Sequence, residues 1–362
     1  MAAAYDAVIV GAGMFGATLA RELTDRGRKV LVVEKRPHAG GMCRTEDWDG
    51  IPFHRYGPHV FHTNERRIWD FVNRFAAFEA FVVRTKAVAR GRVWSFPINL
   101  MTFYQLWGTR TPSEAEDHLT KVRIPRPAVD TIEDWALATY GREIFETFIQ
   151  GYTRKQWGRE PDKLPAGILR RLPLRTSFDD NYFTDRFQGI PVGGYAPMFE
   201  RMLDGVDVEF NCDFMAHRTR LEALGVRVVF SGRIDEYFGF QLGPLAFRGC
   251  RFVHKSFDGD FQGNPVINYC DPDVAWTRIV EHKHFSNPRA PRTLVTWEYP
   301  YECEVGDDPL YPVTDQVNQK RYRAYTEIPT KTVFAGRLGS YRYFDMCEVI
   351  AQAWKIADQL TN

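Results

Sequence analysis

The chain has 362 residues, enough for two or three domains around a sizeable buried core. Its 47 Lys+Arg balance 46 Asp+Glu to a formal charge of +1, so no bulk field favours nucleic acid or an anionic membrane, and any anion site must come from local arginines. Six scattered cysteines without a C-x-x-C pair read as reduced cytosolic thiols, neither a disulfide frame nor a zinc site. No apolar run reaches the roughly 18 residues of a membrane span. The N-terminus enters its first strand within a few residues, so no signal peptide and a cytoplasmic location are expected.

Ala7-Val8-Ile9-Val10 is a short apolar run of the kind that forms a buried parallel strand. Gly11-Ala12-Gly13-Met14-Phe15-Gly16 follows at once and matches G-x-G-x-x-G. Gly11 suits the tight turn, Gly13 a close approach of backbone N–H groups to a pyrophosphate, and Gly16 close packing of the next helix on the strand. That helix, roughly 14 to 26, aims its positive N-terminal end at the anion. A second strand over 29 to 34 ends on Glu34, whose carboxylate suits a ribose diol; Lys35 follows. Downstream, a basic residue and Gly40-Gly41-Met42 resemble FAD-binding proteins of the glutathione-reductase and amine-oxidase type. An ordinary glycine turn is the alternative at this point.

Next comes Gly57-Pro58-His59-Val60-Phe61-His62-Thr63, where Gly-Pro breaks regular structure before two histidines. Such a loop can lie against an isoalloxazine, or simply hold two satisfied histidines. Residues 66 to 78 carry apolar positions at helical spacing, and 81 to 97 alternate as strands do. The stretch from 97 to 170 reads as a helical insertion, with helices over 99 to 107 and 131 to 149. At its end, Gly151-Tyr152-Thr153-Arg154-Lys155-Gln156-Trp157-Gly158 is polar, basic and aromatic at once. It suits stacking on a base, or a surface turn with a partly buried Trp. Arg170, Arg171 and Arg175, close to Tyr182-Phe183, suit a nucleoside diphosphate, or a solvated basic face. Strands are expected at 206 to 210 and 226 to 230, then an antiparallel sheet across 237 to 299. A last strand, the turn at Gly336-Arg337, and a helix over 348 to 360 close the chain; the helix N-terminus near Asp345-Met346 offers N–H donors to an anion.

Together these pieces resemble the bacterial UDP-galactopyranose mutase family over the whole chain. The motifs that carry the likeness are Gly57–Thr63, Gly151–Gly158, Asp179–Phe183, Thr277–Phe285 and Tyr341–Met346, in the family's order. The resemblance implies a mixed α/β fold: a Rossmann-like FAD-binding domain of glutathione-reductase type (1–78, 190–235 and 325–362), a helical domain (97–170) with a mobile substrate loop near 158–172, and an antiparallel sheet domain (79–96, 171–189 and 236–324). It implies interconversion of UDP-galactopyranose and UDP-galactofuranose by covalent catalysis through N5 of reduced FAD, with no net redox change. Arg171 and Arg278 would hold the diphosphate, with Tyr182, Tyr311 and Tyr343 around it. Tyr152 and Trp157 would line the uridine and sugar cleft, with Phe183 and Asn268 nearby. His62 and Tyr343 join the two arginines as catalytic candidates. The cofactor set is Gly11, Gly13, Phe15, Gly16, Glu34, Lys35, Gly41, Met42, His59, His62, Gly336, Arg337, Tyr343, Asp345 and Met346. No metal, nucleic acid or membrane partner is implied; a homodimer and an NAD(P)H-linked reductant are.

Where the family pattern has asparagine, this chain has Val83, and Arg55 precedes Tyr56. UDP-N-acetylgalactosamine and dTDP-fucose are therefore alternative substrates for the same chemistry. An ordinary flavin oxidase shares the FAD domain but has no use for the arginine and tyrosine set. A non-catalytic binder on this fold would lose the glycine turn or Glu34, and both are intact.

Overall fold

The computed structural model describes residues 4–170 and 172–361. Five parallel strands form one sheet, in the order Asp207–Phe210, Val30–Glu34, Ala7–Val10, Arg227–Phe230 and Val333–Phe334. Its side chains alternate between two cores, as the two-residue strand period demands. Ala7, Ile9, Val30 and Val32 face the helices Met14–Asp25, Tyr195–Met202 and Met346–Thr361. Val8, Leu31 and Val33 face Phe214, Leu221 and Tyr237. Cover on both faces explains why Val30–Glu34 is buried at every position.

Seven strands form the second sheet, in the order Tyr311–Pro312, Phe247–Asp258, Arg292–Glu302, Arg278–Glu281, Val266–Tyr269, Lys86–Ala89 and Arg92–Ser95. It is not antiparallel throughout, as expected, because Val266–Tyr269 and Lys86–Ala89 run parallel. These two strands lie far apart in sequence, so no tight hairpin dictates their direction. A smaller sheet of Phe61–Thr63, Phe187–Pro191 and Phe78–Ala80 lies between the two large ones in sequence and holds the histidine loop.

The helical block follows capping chemistry. Asn99 accepts from the N–H groups of Met101 and Thr102 to start Leu100–Trp107, and Thr131 accepts from Asp134 to start Ile132–Tyr140. The long helix expected over 131 to 149 is broken at Gly141 (φ +81°) and resumes as Arg142–Ile144, a π-helical stretch Phe145–Gln150, and Gly151–Trp157. The core of this block (Phe103, Leu119, Leu137, Tyr140, Phe148) runs on to Trp94 of the second sheet and to Phe96 just after it.

Two further expectations need correction. The helix near 66 to 78 stops at Asn73, and Phe78 already begins a strand paired with Phe187–Pro191. Val82 and Val83 belong to no strand; the carbonyl of Val83 instead accepts from Tyr182 N–H at 2.8 Å. The helices Phe214–Glu222 and Gln316–Thr326 were not anticipated. The second buries few side chains, Asn318 and Tyr325 among them, and so carries no apolar stripe. Among the described residues no helix is long and apolar enough to cross a membrane. All six cysteines are free thiols.

Candidate active site

A cavity of ≈ 230 Å³ opens at the carboxyl ends of the parallel strands, the crevice where open α/β sheets place their ligands. Gly11, Gly13, Glu34, Lys35, Gly41 and Met42 all line it. Gly11 sits at φ +96°, and a side chain on Gly16 would collide with its carbonyl, so both glycines are required by the turn itself. Gly13 and Gly41 face one another: a Cβ on Gly13 would meet only the Cα of Gly41, at 3.7 Å, which leaves a groove between two bare backbones. Gly13 also starts the helix Met14–Asp25 without a side-chain cap, so the first-turn N–H groups point toward that groove unclaimed by a capping side chain. Glu34, 4% exposed, is held rigid; its Oε2 accepts from Ala12 N–H at 2.8 Å and its Oε1 from Arg36 N–H at 2.9 Å. This groove and fixed carboxylate fit the diphosphate and ribose of FAD. Phe15 and Gly16 are buried behind the groove and support it. Asp308 closes the rim by ion pairs to Lys35 at 2.9 Å and Arg36 at 3.0 Å, a contribution no motif announces.

The second cavity, also ≈ 230 Å³, is a cleft between the helical block and the seven-stranded sheet. It collects Tyr152, Trp157, Tyr182, Phe183, Asn268, Arg278, Tyr311, Tyr343 and Asp345. Tyr152 and Trp157 come from the helix Gly151–Trp157; Asn268 and Arg278 are directly paired neighbours on adjacent strands. Arg278 donates from Nε and Nη2 to one oxygen of Glu298, at 2.8 and 2.7 Å. Burial opposes its charge, but Glu298 and the nearby phenols more than offset this and hold its pKa well above the usual value. Burial pushes up the Tyr152 phenol, and pushes Tyr311 to about 12 against the pull of Arg278. Both therefore stay protonated near neutrality, as hydrogen-bond donors suited to an anion. Tyr311 and Tyr343 stack at 6.0 Å, and Arg337 lies 4.9 Å over the Tyr343 ring while donating to the Phe344 carbonyl at 2.9 Å.

The histidine loop brings Pro58 and Val60 to the wall of the cleft, and Tyr56, just before it, lies under Arg36 of the cofactor cavity at 5.6 Å. His59 Nδ1 is 2.8 Å from the Gly57 carbonyl; burial, with the Arg337 charge adding, lowers its pKa to about 4, so the ring is neutral. His62 lines neither cavity. Its Nδ1 lies 2.7 Å from Asp185 Oδ2 and its ring stacks on Phe183 at 3.7 Å, so it backs a cleft residue. Gly336 (φ +71°) turns the chain after the last strand of the parallel sheet, its N–H bonded to Gln352 at 2.8 Å, and Met346 opens the final helix. Arg171 lies outside the described residues; its neighbours Leu169 and Leu172 line the cleft. Sequence reasoning missed Glu298, Lys155 and the apolar side formed by Val60, Val83, Val266 and Phe285. Glu298 meets Arg278 through strand register alone, which no local motif encodes. Asp260, Glu281 and His284 also converge within 4.8 Å. There Glu281 accepts three backbone N–H groups, and Asp260 pairs with Lys283 at 2.7 Å.

A Rossmann-like FAD cavity, joined through a histidine loop to an arginine- and tyrosine-lined cleft, defines a flavoprotein for an anionic substrate. Residues 9–75 match the NAD(P)-binding Rossmann-like domain family, and residues 147–343 match the UDP-galactopyranose mutase family. A probable UDP-galactopyranose mutase of Klebsiella pneumoniae is 39% identical over 367 residues, covering 98% of this chain and 94% of that protein. A dTDP-fucopyranose mutase of Escherichia coli is 38% identical over 368 residues, with 97% of each covered. The crystal structure of a reduced UDP-galactopyranose mutase superposes with TM-score 0.77 at 14% identity, over 99% of this chain and 94% of that one. The chain belongs to the UDP-galactopyranose mutase family, and is a nucleotide-sugar pyranose/furanose mutase.

Proposed function

We propose that the protein interconverts UDP-galactopyranose and UDP-galactofuranose without net redox change. The observation that carries this reading is the single cleft that gathers one strongly basic arginine, four tyrosines and Asp345. When bound and reduced, FAD supplies a nucleophilic flavin nitrogen, N5, at the anomeric carbon. The chain's own task is to bind the departing nucleoside diphosphate and hold it for return. Arg278 takes the diphosphate with its charge fixed by Glu298, and Arg171 is its second arginine. Tyr182, Tyr311 and Tyr343 donate hydrogen bonds to the same group. Trp157 and Tyr152 flank the uridine and sugar. Asn268 and Phe183 complete the sugar side, and His62 holds the Phe183 ring in place. The neutral His59 adds no charge beside the flavin. A homodimer and an NAD(P)H-linked reductant are part of this reading.

HPLC of the purified yellow protein with UDP-galactofuranose, with and without dithionite, tests it. Conversion only under reduction is expected. No conversion by reduced, FAD-loaded protein would remove galactose as the substrate. A second reading, the same chemistry on dTDP-fucose, is favoured by the apolar side at Val60, Val83, Val266 and Phe285. A sugar hydroxyl buried there without a partner costs roughly 1–3 kcal/mol, whereas a methyl group costs nothing. Turnover of dTDP-fucofuranose and of UDP-N-acetylgalactosamine in the same assay separates the sugars.

A further inference from the structure

Lys155 belongs to neither cavity, yet its surroundings are built around it. Its Nζ lies 2.8 Å from the Tyr269 carbonyl, 2.8 Å from that of Asp271 and 3.1 Å from that of Trp276. An ammonium has three N–H donors, and here each has an acceptor. The three carbonyls sit on the turn that joins the strands Val266–Tyr269 and Arg278–Glu281. One helical turn earlier, on the same face, Gly151 packs so closely on this turn that any side chain there would collide with the Cys270 carbonyl. Two separate features therefore dock the helix Gly151–Trp157 onto the same turn.

What the junction joins is the cleft itself. The helix contributes Tyr152 and Trp157; the strands on either side of the turn contribute Asn268 and Arg278. We propose that Lys155 is a positioning residue that fixes the spacing of these two sides of the nucleotide-sugar cleft, without touching substrate. This rests on the reading of the cleft given above.

The ammonium form is what the site requires. Loss of one proton leaves two N–H donors and a lone pair facing three carbonyl oxygens, so one contact becomes repulsive. Burial lowers the Lys155 pKa to about 8, opposed by Cys270, Asp271 and Asp273 of the turn. Arg248, on the opposite side, donates to the Lys155 and Gln156 carbonyls at 3.0 Å and stays charged beside Glu302. On the helix itself, Arg154 is paired with Glu160. Cys270 is buried and pushed up to about 12. Lys155 is thereby set to titrate just above neutrality.

The test uses the FAD-loaded full chain and UDP as probe, by calorimetry. Between about pH 7 and about 8.5, below the uracil ring's own titration, wild-type affinity should weaken about threefold, as the ammonium fraction falls. Lys155→Met should bind UDP at least about tenfold more weakly near neutrality, with no such pH dependence and an unchanged flavin spectrum. A pH-independent wild-type affinity, or wild-type binding by the Met variant, overturns the proposal. Should the variant not retain FAD, the wild-type profile alone decides. A wild type that carries FAD but binds no UDP at any pH removes the uridine nucleotide first, and the same pH profile with dTDP as probe then decides this proposal.

Discussion

Replacing Arg278 by methionine removes the one strong positive charge that the described residues aim into the substrate cleft, with little change of volume. Two consequences follow from the geometry. A bound diphosphate loses a charge-assisted donor set worth about 1.5–3 kcal/mol, or roughly a ten- to 150-fold loss of UDP affinity. Glu298, only 3% exposed, loses the partner that donates to it at 2.7 and 2.8 Å, while its other oxygen already has no hydrogen-bond partner. Breaking a buried pair from one side costs about 3–5 kcal/mol. Because the Arg278 side chain is 24% exposed, a loss of roughly 2–3 kcal/mol is the better expectation. The two effects separate in the double variant Arg278→Met/Glu298→Gln. It should recover most of the stability, since the buried carboxylate is gone, and none of the UDP affinity. Thermal melts and calorimetric UDP titrations on FAD-loaded protein read both. Wild-type UDP affinity in the single variant would refute the placement of the diphosphate at Arg278. Recovery of UDP binding in the double variant would show that the loss came from distortion of the cleft.

Three other outcomes follow from the structure. Gly13→Val should fold, because a Cβ there meets only the Gly41 Cα at 3.7 Å, but should emerge colourless, since the branches fill the groove for the FAD pyrophosphate; a 450 nm absorbance equal to wild type would contradict the groove assignment. His282, fully buried beside Thr296, has its pKa lowered to about 3 from an ordinary 6.5, chiefly by burial. The unfolded chain therefore binds the extra proton first, and stability that is complete above 6.5 is lost as pH falls toward 3; at about pH 4.5 the loss is roughly 2–3 kcal/mol. Buried His54 shifts the same way, and His282→Gln should flatten the melting temperature across this range relative to wild type. Asp308→Ala should speed FAD release and make it less salt-dependent, by less than about 1 kcal/mol because the pairs to Lys35 and Arg36 are partly exposed; an unchanged release rate would show that the rim does not retain the cofactor.

Residues whose chemistry is local were legible in the sequence. The glycine turn, Glu34, and the helix that follows declare themselves within one β-α-β unit, because each glycine answers a constraint set by its near neighbours. The aromatic and basic stretch from 151 to 158 suited base stacking and a surface turn alike, and the structure brings Tyr152 and Trp157 to the cleft. The likeness across five motifs then assigned residues that local spacing alone left open. What stayed hidden depends on pairing between distant parts of the chain. Glu298 meets Arg278 only because two strands of the second sheet align in one register. Lys155 was visible as one basic residue among several; its task came into view only with the three carbonyls of a turn more than 110 residues away in sequence. The apolar side at Val83 combines a loop residue with Val60, Val266 and Phe285 from three other segments. The parallel pairing of Lys86–Ala89 with Val266–Tyr269 was hidden for the same reason: alternation marks a strand but says nothing of its direction. His62, which the resemblance sets beside the flavin, also stacks on Phe183 and meets Asp185, from a segment over 120 residues further on, and no local motif encodes either contact. A His62→Phe change keeps that stacking and removes the Asp185 contact. It should therefore disturb substrate affinity far less than His62→Ala, whereas equal losses in the two variants would show that the imidazole itself is needed.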